Sequence, residues 1–157
     1  MVYQTYTRFK NCLDRISQEQ GLTAEQYFVL VNIQYHDAPA RITDVAQWVE
    51  RSTNSVSMIV DRMVKAGLLR RVRDRSDRRV VNVVITSKAE NAFKPANIAA
   101  RQLIQQIMSP LSYEDRHVFD SLFKMINYKI LEYLNPGADI EGMLKNCLLY
   151  TSPSPRD

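Results

Sequence analysis

Two strand-like runs, Leu68–Arg73 and Arg79–Thr86, interrupt a chain whose other apolar residues recur at every third or fourth position. The second run, RVVNVVIT, is rich in β-branched residues, and a short charged loop separates it from the first. Paired runs of this kind predict a β-hairpin. The spacing of three and four elsewhere predicts helices. The chain is therefore expected to be mainly α-helical, with one hairpin near its middle.

Capping signals and apolar spacing give the expected helix boundaries. Thr23 with Gln26, Ser87 with Glu90, and Ser112 with Asp115 each have the separation of a capping pair. Pro95 is expected to bend the helix that follows the hairpin. The predicted helices cover residues 2–19, 23 to about 37, 42–49, 53–66, 87 to about 110, and 112–134.

Positive charge is concentrated around the hairpin. The chain has a net charge of +4, whereas the segment from Asp61 to Arg79 holds eight basic and three acidic residues, a local balance of +5. The remainder is close to neutral. Such a distribution indicates a local site for an anionic partner.

Composition and length narrow the class of protein. The 157 residues match one domain, and no apolar run approaches the roughly 20 residues that cross a bilayer. No export signal is evident at the N-terminus, so the cytoplasm is the expected compartment. The last eleven residues, CLLYTSPSPRD, resemble a translated sequencing adapter. We expect residues 147–157 to be an artefactual disordered tail, with a natural disordered tail as the alternative.

Residues for catalysis or metal binding are sparse. No serine lies in a nucleophile elbow, four glycines form no phosphate loop, and no catalytic pair of carboxylates is evident. We therefore expect neither an enzyme nor a cofactor. The cysteines and histidines lack metal-ligand spacing, so no metal site is expected either. They are Cys12, Cys147, His36 and His117.

Compact helices directly before a β-ribbon, with long helices on both sides, are the order of a winged helix-turn-helix protein. In that fold class, mainly α, a three-helix lobe and its hairpin wing are flanked by further helices. An α-helix fits the major groove of B-DNA, and a thin basic hairpin can follow the backbone and reach the minor groove. Double-stranded DNA is accordingly the expected partner.

The fourth predicted helix has a core face and an outer face. Val56, Ile59, Val60 and Met63 share the face that packing requires. Small polar side chains near the helix start suit close approach to phosphates and base edges. An ordinary solvated helix start is the alternative. The candidate DNA-binding residues of this helix are Thr53, Asn54, Ser55, Ser57 and Met58.

The hairpin supplies the remaining candidates, which are Arg73, Arg75, Asp77, Arg78 and Arg79. Arginine presents a planar set of donors that suits phosphates and narrow minor grooves. Asp77 is expected to brace one of the two neighbouring arginines in an extended pose. A merely solvated charge run is the alternative.

These residues resemble the MarR family of winged helix-turn-helix transcriptional regulators. The resemblance rests on Leu22-Thr23, on ITDVA at residues 42–46, on VDRM at 60–63 with Gly67-Leu68, and on DRR at 77–79 followed by VVIT at 83–86. It implies a homodimer on a pseudo-palindromic operator, with wing arginines in the minor groove. It also implies that a small ligand or oxidation relieves repression.

Matched residue by residue, the resemblance puts Ser55 and Ser57 where the family often has recognition-helix threonines, and Arg79 with Asp77 on the wing pair. Two positions depart from the family pattern. Met58 stands where many members have arginine or lysine, which puts a direct guanine contact in doubt. Ala89 replaces a frequent glycine.

The expected organisation is one domain over residues 1–146. Residues 22–86 would form the winged helix, and residues 1–20 and 87–135 would form dimerisation helices, because their apolar side chains exceed what one small domain covers. A small aromatic or phenolic effector is a further expected partner. Cys12 is expected to be buried or inert rather than a peroxide sensor. A winged helix that binds protein instead of DNA is the competing function.

Overall fold

The computed structural model describes residues 1–35, 39–49, 51–74 and 77–141. The chain divides into two compact units, residues 1–102 and 103–157, and the boundary lies within the fifth helix. In chain order the elements are α1 (Val2–Glu19), α2 (Ala24–Tyr35), β1 (Ala40–Arg41), α3 (Ile42–Trp48), α4 (Thr53–Lys65), β2 (Leu69–Arg73), β3 (Val81–Ile85), α5 (Ser87–Met108) and α6 (Tyr113–Leu134). The prediction of a mainly helical winged helix-turn-helix protein is confirmed.

Two of the predicted caps are present. At the start of α2, the Thr23 hydroxyl accepts from the Gln26 backbone N–H at 3.2 Å, and the Gln26 side chain accepts from the Thr23 N–H at 2.9 Å. At the start of α6, the Ser112 hydroxyl accepts from the Asp115 N–H at 3.1 Å. Each pair satisfies N–H groups that have no partner within the helix.

The predicted cap of α5 is wrong by one residue. Thr86, rather than Ser87, accepts from the Ala89 backbone N–H, at 3.3 Å. The Thr86 hydroxyl also donates to the Gly67 carbonyl oxygen at 2.7 Å. Gly67 ends α4 with a φ of 72°, a conformation that glycine adopts without steric cost. Thr86 is therefore selected as the cap because it also ties the end of β3 to the end of α4.

The sheet is antiparallel, in the order β1-β3-β2. Strands β2 and β3 form the predicted hairpin, in a register that pairs Leu69 with Ile85 and Arg73 with Val81. Strand β1 pairs Ala40 with Val83 on the other edge of β3. The sequence did not predict β1, since two residues carry no readable alternation.

The core of the first unit lies where α2, α3, α4 and the sheet meet. The predicted inner face of α4 is confirmed, because Val56, Ile59, Val60 and Met63 are all buried. Burying a side chain of this size stabilises the fold by about 1.5–3 kcal/mol. The core thus fixes which side of α4 faces outward.

A polar contact joins α2 to α5 within the first unit. The Tyr27 hydroxyl donates to the side-chain oxygen Oδ1 of Asn97 at 3.1 Å, and the side-chain Nδ2 of Asn97 donates to the Tyr35 hydroxyl oxygen at 3.0 Å. The Tyr27 ring also stacks on Phe93, with 5.8 Å between centroids. Burial, with a smaller effect from Tyr35, raises the pKa of Tyr27 to about 12. Tyr27 is therefore a neutral, hydrogen-bonded part of this packing.

In the second unit, α6 leaves most of its apolar residues exposed. Phe119 and Phe123 stack on each other with 5.6 Å between centroids, yet about half of each side chain's surface remains accessible. The exposed apolar residues of α6 are Tyr113, Val118, Phe119, Leu122, Phe123, Met125, Ile126, Ile130, Tyr133 and Leu134. None of the described helices is long and apolar enough to cross a membrane.

Candidate nucleic-acid interface

The start of α4 is exposed and capped. The Ser52 hydroxyl accepts from the Ser55 backbone N–H at 3.2 Å, and the two serine hydroxyls lie 2.9 Å apart. Thr53 and Asn54, in the first turn, are exposed. Ser55 is half-buried and engaged by the cap, so of the candidate residues in this turn, Thr53 and Asn54 are the more accessible to a partner.

An outward stripe continues along α4. Asn54, Ser57, Asp61 and Lys65 follow one another at separations of three or four residues, and Met58 lies four residues after Asn54, which places all five on one face of the helix. Met58 is 64% exposed, and Asn54 and Lys65 are also exposed. This face is opposite the buried face, as the sequence predicted. It combines amide, hydroxyl and thioether groups with one carboxylate and one ammonium.

Strand β2 carries arginines beside α4. Arg70, Arg71 and Arg73 are all exposed. The Arg71 guanidinium lies 2.7 Å from the Asp61 carboxylate, so an ion pair joins β2 to the outward stripe of α4. Among the described residues, neither Arg70 nor Arg73 has an acidic partner within 4.0 Å. Their guanidinium groups are available to an anion.

The loop of the hairpin is held by its aspartates. Asp74 accepts from the Asp77 backbone N–H at 3.1 Å and from the Asn82 side-chain amide at 3.2 Å. The Asp74 N–H donates to the Val80 carbonyl at 3.0 Å, and the Val80 N–H donates to the Asp77 carbonyl at 2.9 Å. The two carboxylates and the backbone therefore close the described part of the loop.

The predicted role of Asp77 needs correction. Its carboxylate accepts from the Arg79 backbone N–H at 2.9 Å, and it makes no ion pair with either neighbouring guanidinium group. Arg78 and Arg79 are exposed and, within the described part of the chain, unpaired. The reason is geometric, because a carboxylate two residues before an N–H closes a local turn readily. Arg75 lies outside the described residues.

Two ion pairs of this region were not predicted. Besides Asp61 with Arg71, the Arg51 guanidinium lies 2.8 Å from the Glu25 carboxylate and joins the start of α2 to the residue before the Ser52 cap. The spacing of Asp61 from Asn54 in the sequence does predict that this carboxylate lies on the outer face. No pattern in the sequence predicts that Arg71 is the partner of Asp61.

Other residues singled out from the sequence lie apart from this surface. Cys12 is exposed on α1, so the expectation of burial is wrong, and an inert thiol stays a prediction. His117 on α6 lies edge-on to Tyr113, with 4.4 Å between ring centroids. His36 and Cys147 lie outside the described residues. Within the described ranges, no group of three or more potential ligands could hold a metal ion.

Known proteins of similar sequence and structure are regulators. The transcriptional repressor MdtR of Bacillus subtilis is 24% identical over 98 residues, and the match covers 62% of this chain and 63% of MdtR. Staphylococcus aureus MepR, solved as a complex with DNA, has the same fold, with a TM-score of 0.74 and 19% identity over 85% of this chain and 94% of MepR.

A third similar structure is the organohalide-sensing transcriptional regulator RdhR, solved with bound 2,4-dichlorophenol. Its TM-score is 0.73 at 19% identity, covering 87% of this chain and 80% of that one. At these identities the two structures establish the fold. The model of the MarR family matches residues 22–81, which span α2 to the first residue of β3 and include the capped start of α4 and the arginines of the hairpin. The winged-helix part of the chain is thus similar to the MarR family.

Proposed function

We propose that this protein is a transcriptional regulator that binds double-stranded DNA. The observation that carries the proposal is a group of four exposed arginines without described ion-pair partners, on the hairpin packed beside α4. They are Arg70, Arg73, Arg78 and Arg79. Unpaired guanidinium groups bind phosphates and enter narrow minor grooves. The DNA complex of the structurally similar MepR supports the same partner.

In the proposed complex, α4 lies in the major groove and the hairpin acts as the wing. Thr53, Asn54, Ser57 and Met58 would face base edges and nearby phosphates, since they lie on the exposed start and outward stripe of the helix. The wing would follow the backbone to the adjacent minor groove. The proposal also places the protein in the cytoplasm, where it would have access to such a target.

The proposed active form is a homodimer on a pseudo-palindromic operator. The exposed apolar stripe of α6 supports it, because a surface of this kind is costly in water and is covered when two copies pair. Residues 22–86 would be the DNA-binding part, with residues 1–20 and 87–135 contributing to dimerisation. Two copies would read half-sites about one helical turn apart.

We further propose that the protein represses its target until a small phenolic or other aromatic compound binds. The similarity to MdtR, a transcriptional repressor, supports repression. The dichlorophenol bound to RdhR supports the effector class. Expression of a reporter gene placed under the protein's operator would rise on deletion of the protein if the protein represses. Expression would fall if the protein activates.

Selection of bound sequences from a random duplex library tests the proposed function. We expect an enriched inverted repeat, a dimer in sedimentation, and an affinity that falls steeply with salt, since phosphate contacts release counterions. Repeating the selection with simple phenols tests the effector class. The competing function, a winged helix that binds protein, predicts no enrichment and partner capture that is insensitive to salt.

A further inference from the structure

Asp61 is an acidic residue on the stripe that the proposed function turns toward DNA. It lies seven residues, or two helical turns, after Asn54 and four residues after Ser57. Its side chain is 48% exposed. A carboxylate on a surface that approaches phosphates is repelled unless a cation neutralises it.

Arg71 supplies that cation from the wing. Its guanidinium group is 2.7 Å from Asp61 and 39% exposed. The other exposed arginines described on the hairpin have no ion pair within the described residues. The charge of one wing arginine is thus neutralised by an ion pair, and the same ion pair joins the wing to α4.

We propose that Asp61 is a specificity-determining residue that limits sequence-independent DNA binding by engaging Arg71. The inference rests on the proposed function. Non-specific affinity grows with the number of cations free to displace counterions, whatever the base sequence. By pairing with Arg71, Asp61 removes one such cation. The same contact joins the base of the wing to α4, so that both elements meet the operator in a fixed relation.

The test compares D61N, R71Q and the double variant with the parent protein on two duplexes. One duplex is the operator enriched by selection, and the other is a mixed-sequence duplex of equal length. D14N is the matched control, since it removes the same charge from another exposed pair, Lys10 with Asp14 at 2.9 Å on α1, and sedimentation checks that D14N assembles as the parent protein does. Thermal unfolding checks each variant, and a half-exposed pair contributes little to folding.

D61N is expected to bind the mixed-sequence duplex more tightly, with a plot of log affinity against log salt steeper by about 0.9 per protomer. The ratio of the D61N affinity to the parent affinity for this duplex would then rise about eightfold as salt falls from about 1 M to 0.1 M. The ratio of operator to mixed-sequence affinity would fall. R71Q is expected to weaken binding to both duplexes, because the Asp61 carboxylate is left unpaired. The double variant should return close to the parent slope.

Two results would overturn the inference while leaving the proposed function intact. In the first, D61N binds the mixed-sequence duplex no more tightly than D14N, which shows that the ion pair with Asp61 does not keep Arg71 from DNA. Alternatively, D61N lowers operator affinity and leaves mixed-sequence binding unchanged, which indicates that Asp61 contacts a base. If the parent protein itself shows no salt-dependent duplex binding, the proposed function fails and the inference fails with it.

Discussion

Met58 and Met63 lie on the same helix, five residues apart, and the fold assigns them opposite surroundings. Met63 has no exposed surface and belongs to the core, whereas Met58 is 64% exposed on the outward stripe. Replacing a buried methionine by alanine removes apolar contacts and leaves a cavity, at a cost of about 2–5 kcal/mol. Alanine retains full helix propensity, so the helix itself is not weakened. We expect Met63→Ala to lower the free energy of unfolding by about 3 kcal/mol.

Urea denaturation measures the difference, and the single tryptophan, Trp48 on α3, gives a fluorescence probe in the same unit. With a denaturant slope of about 2 kcal/mol per molar, Met63→Ala should lower the midpoint by about 1.5 M. Met58→Ala should change the free energy by less than about 0.5 kcal/mol and the midpoint by less than about 0.3 M. It should nevertheless change operator affinity. Equal midpoint shifts in the two variants would refute the assigned orientation of α4.

Three further predictions follow from the surface, the apolar stripe and the buried tyrosine. Arg79→Ala should flatten the salt dependence of operator binding by about 0.9 per protomer, most clearly on operators with A·T-rich flanks, whereas Arg15→Ala on α1 should not. Phe123→Glu should shift the protein from dimer to monomer in sedimentation velocity, with helicity by circular dichroism unchanged. Because the raised pKa of Tyr27 favours the protonated folded state, the stability from this group is complete below about pH 10 and is lost as pH rises toward 12. Tyr27→Phe should make stability less dependent on pH across that interval, as measured by denaturation at each pH, and an unchanged loss would contradict the assignment.

Much of this fold could be predicted from the sequence because it depends on interactions between residues that are close in the chain. The cap of α2 depends on Thr23 and Gln26, three residues apart, and both of its hydrogen bonds lie within that segment. The end of α4 at Gly67 and the inward position of Met63 follow equally from nearby residues and helical spacing. The position of the candidate surface could be predicted for the same reason. The exposed start of α4 lies opposite a buried face, and helical spacing predicts which residues that face contains.

Contacts between segments that are distant in the chain could not be predicted from the sequence. Thr86 caps α5 because its hydroxyl also reaches Gly67, nineteen residues earlier, and this long-range contact decided between two adjacent hydroxyl residues. Strand β1 exists because Ala40 meets the free edge of β3 at Val83. The pairing of Arg71 depends on where β2 crosses α4. In each case the partner is chosen by tertiary geometry, which a single sequence does not encode at any fixed spacing.

The same distinction changes how the local charge of +5 is interpreted. A count of basic residues treats every cation as equal, whereas the structure engages Arg71 and leaves Arg70, Arg73, Arg78 and Arg79 without described partners. Each free arginine that meets a phosphate contributes about 0.9 to the salt dependence, so these four together contribute up to about 3.6 per protomer. Counting all eight basic residues of the segment would give about 7. The slope that remains when the four free arginines are replaced together therefore separates the two: about half should remain if net charge alone defines the surface, and much less if geometry does.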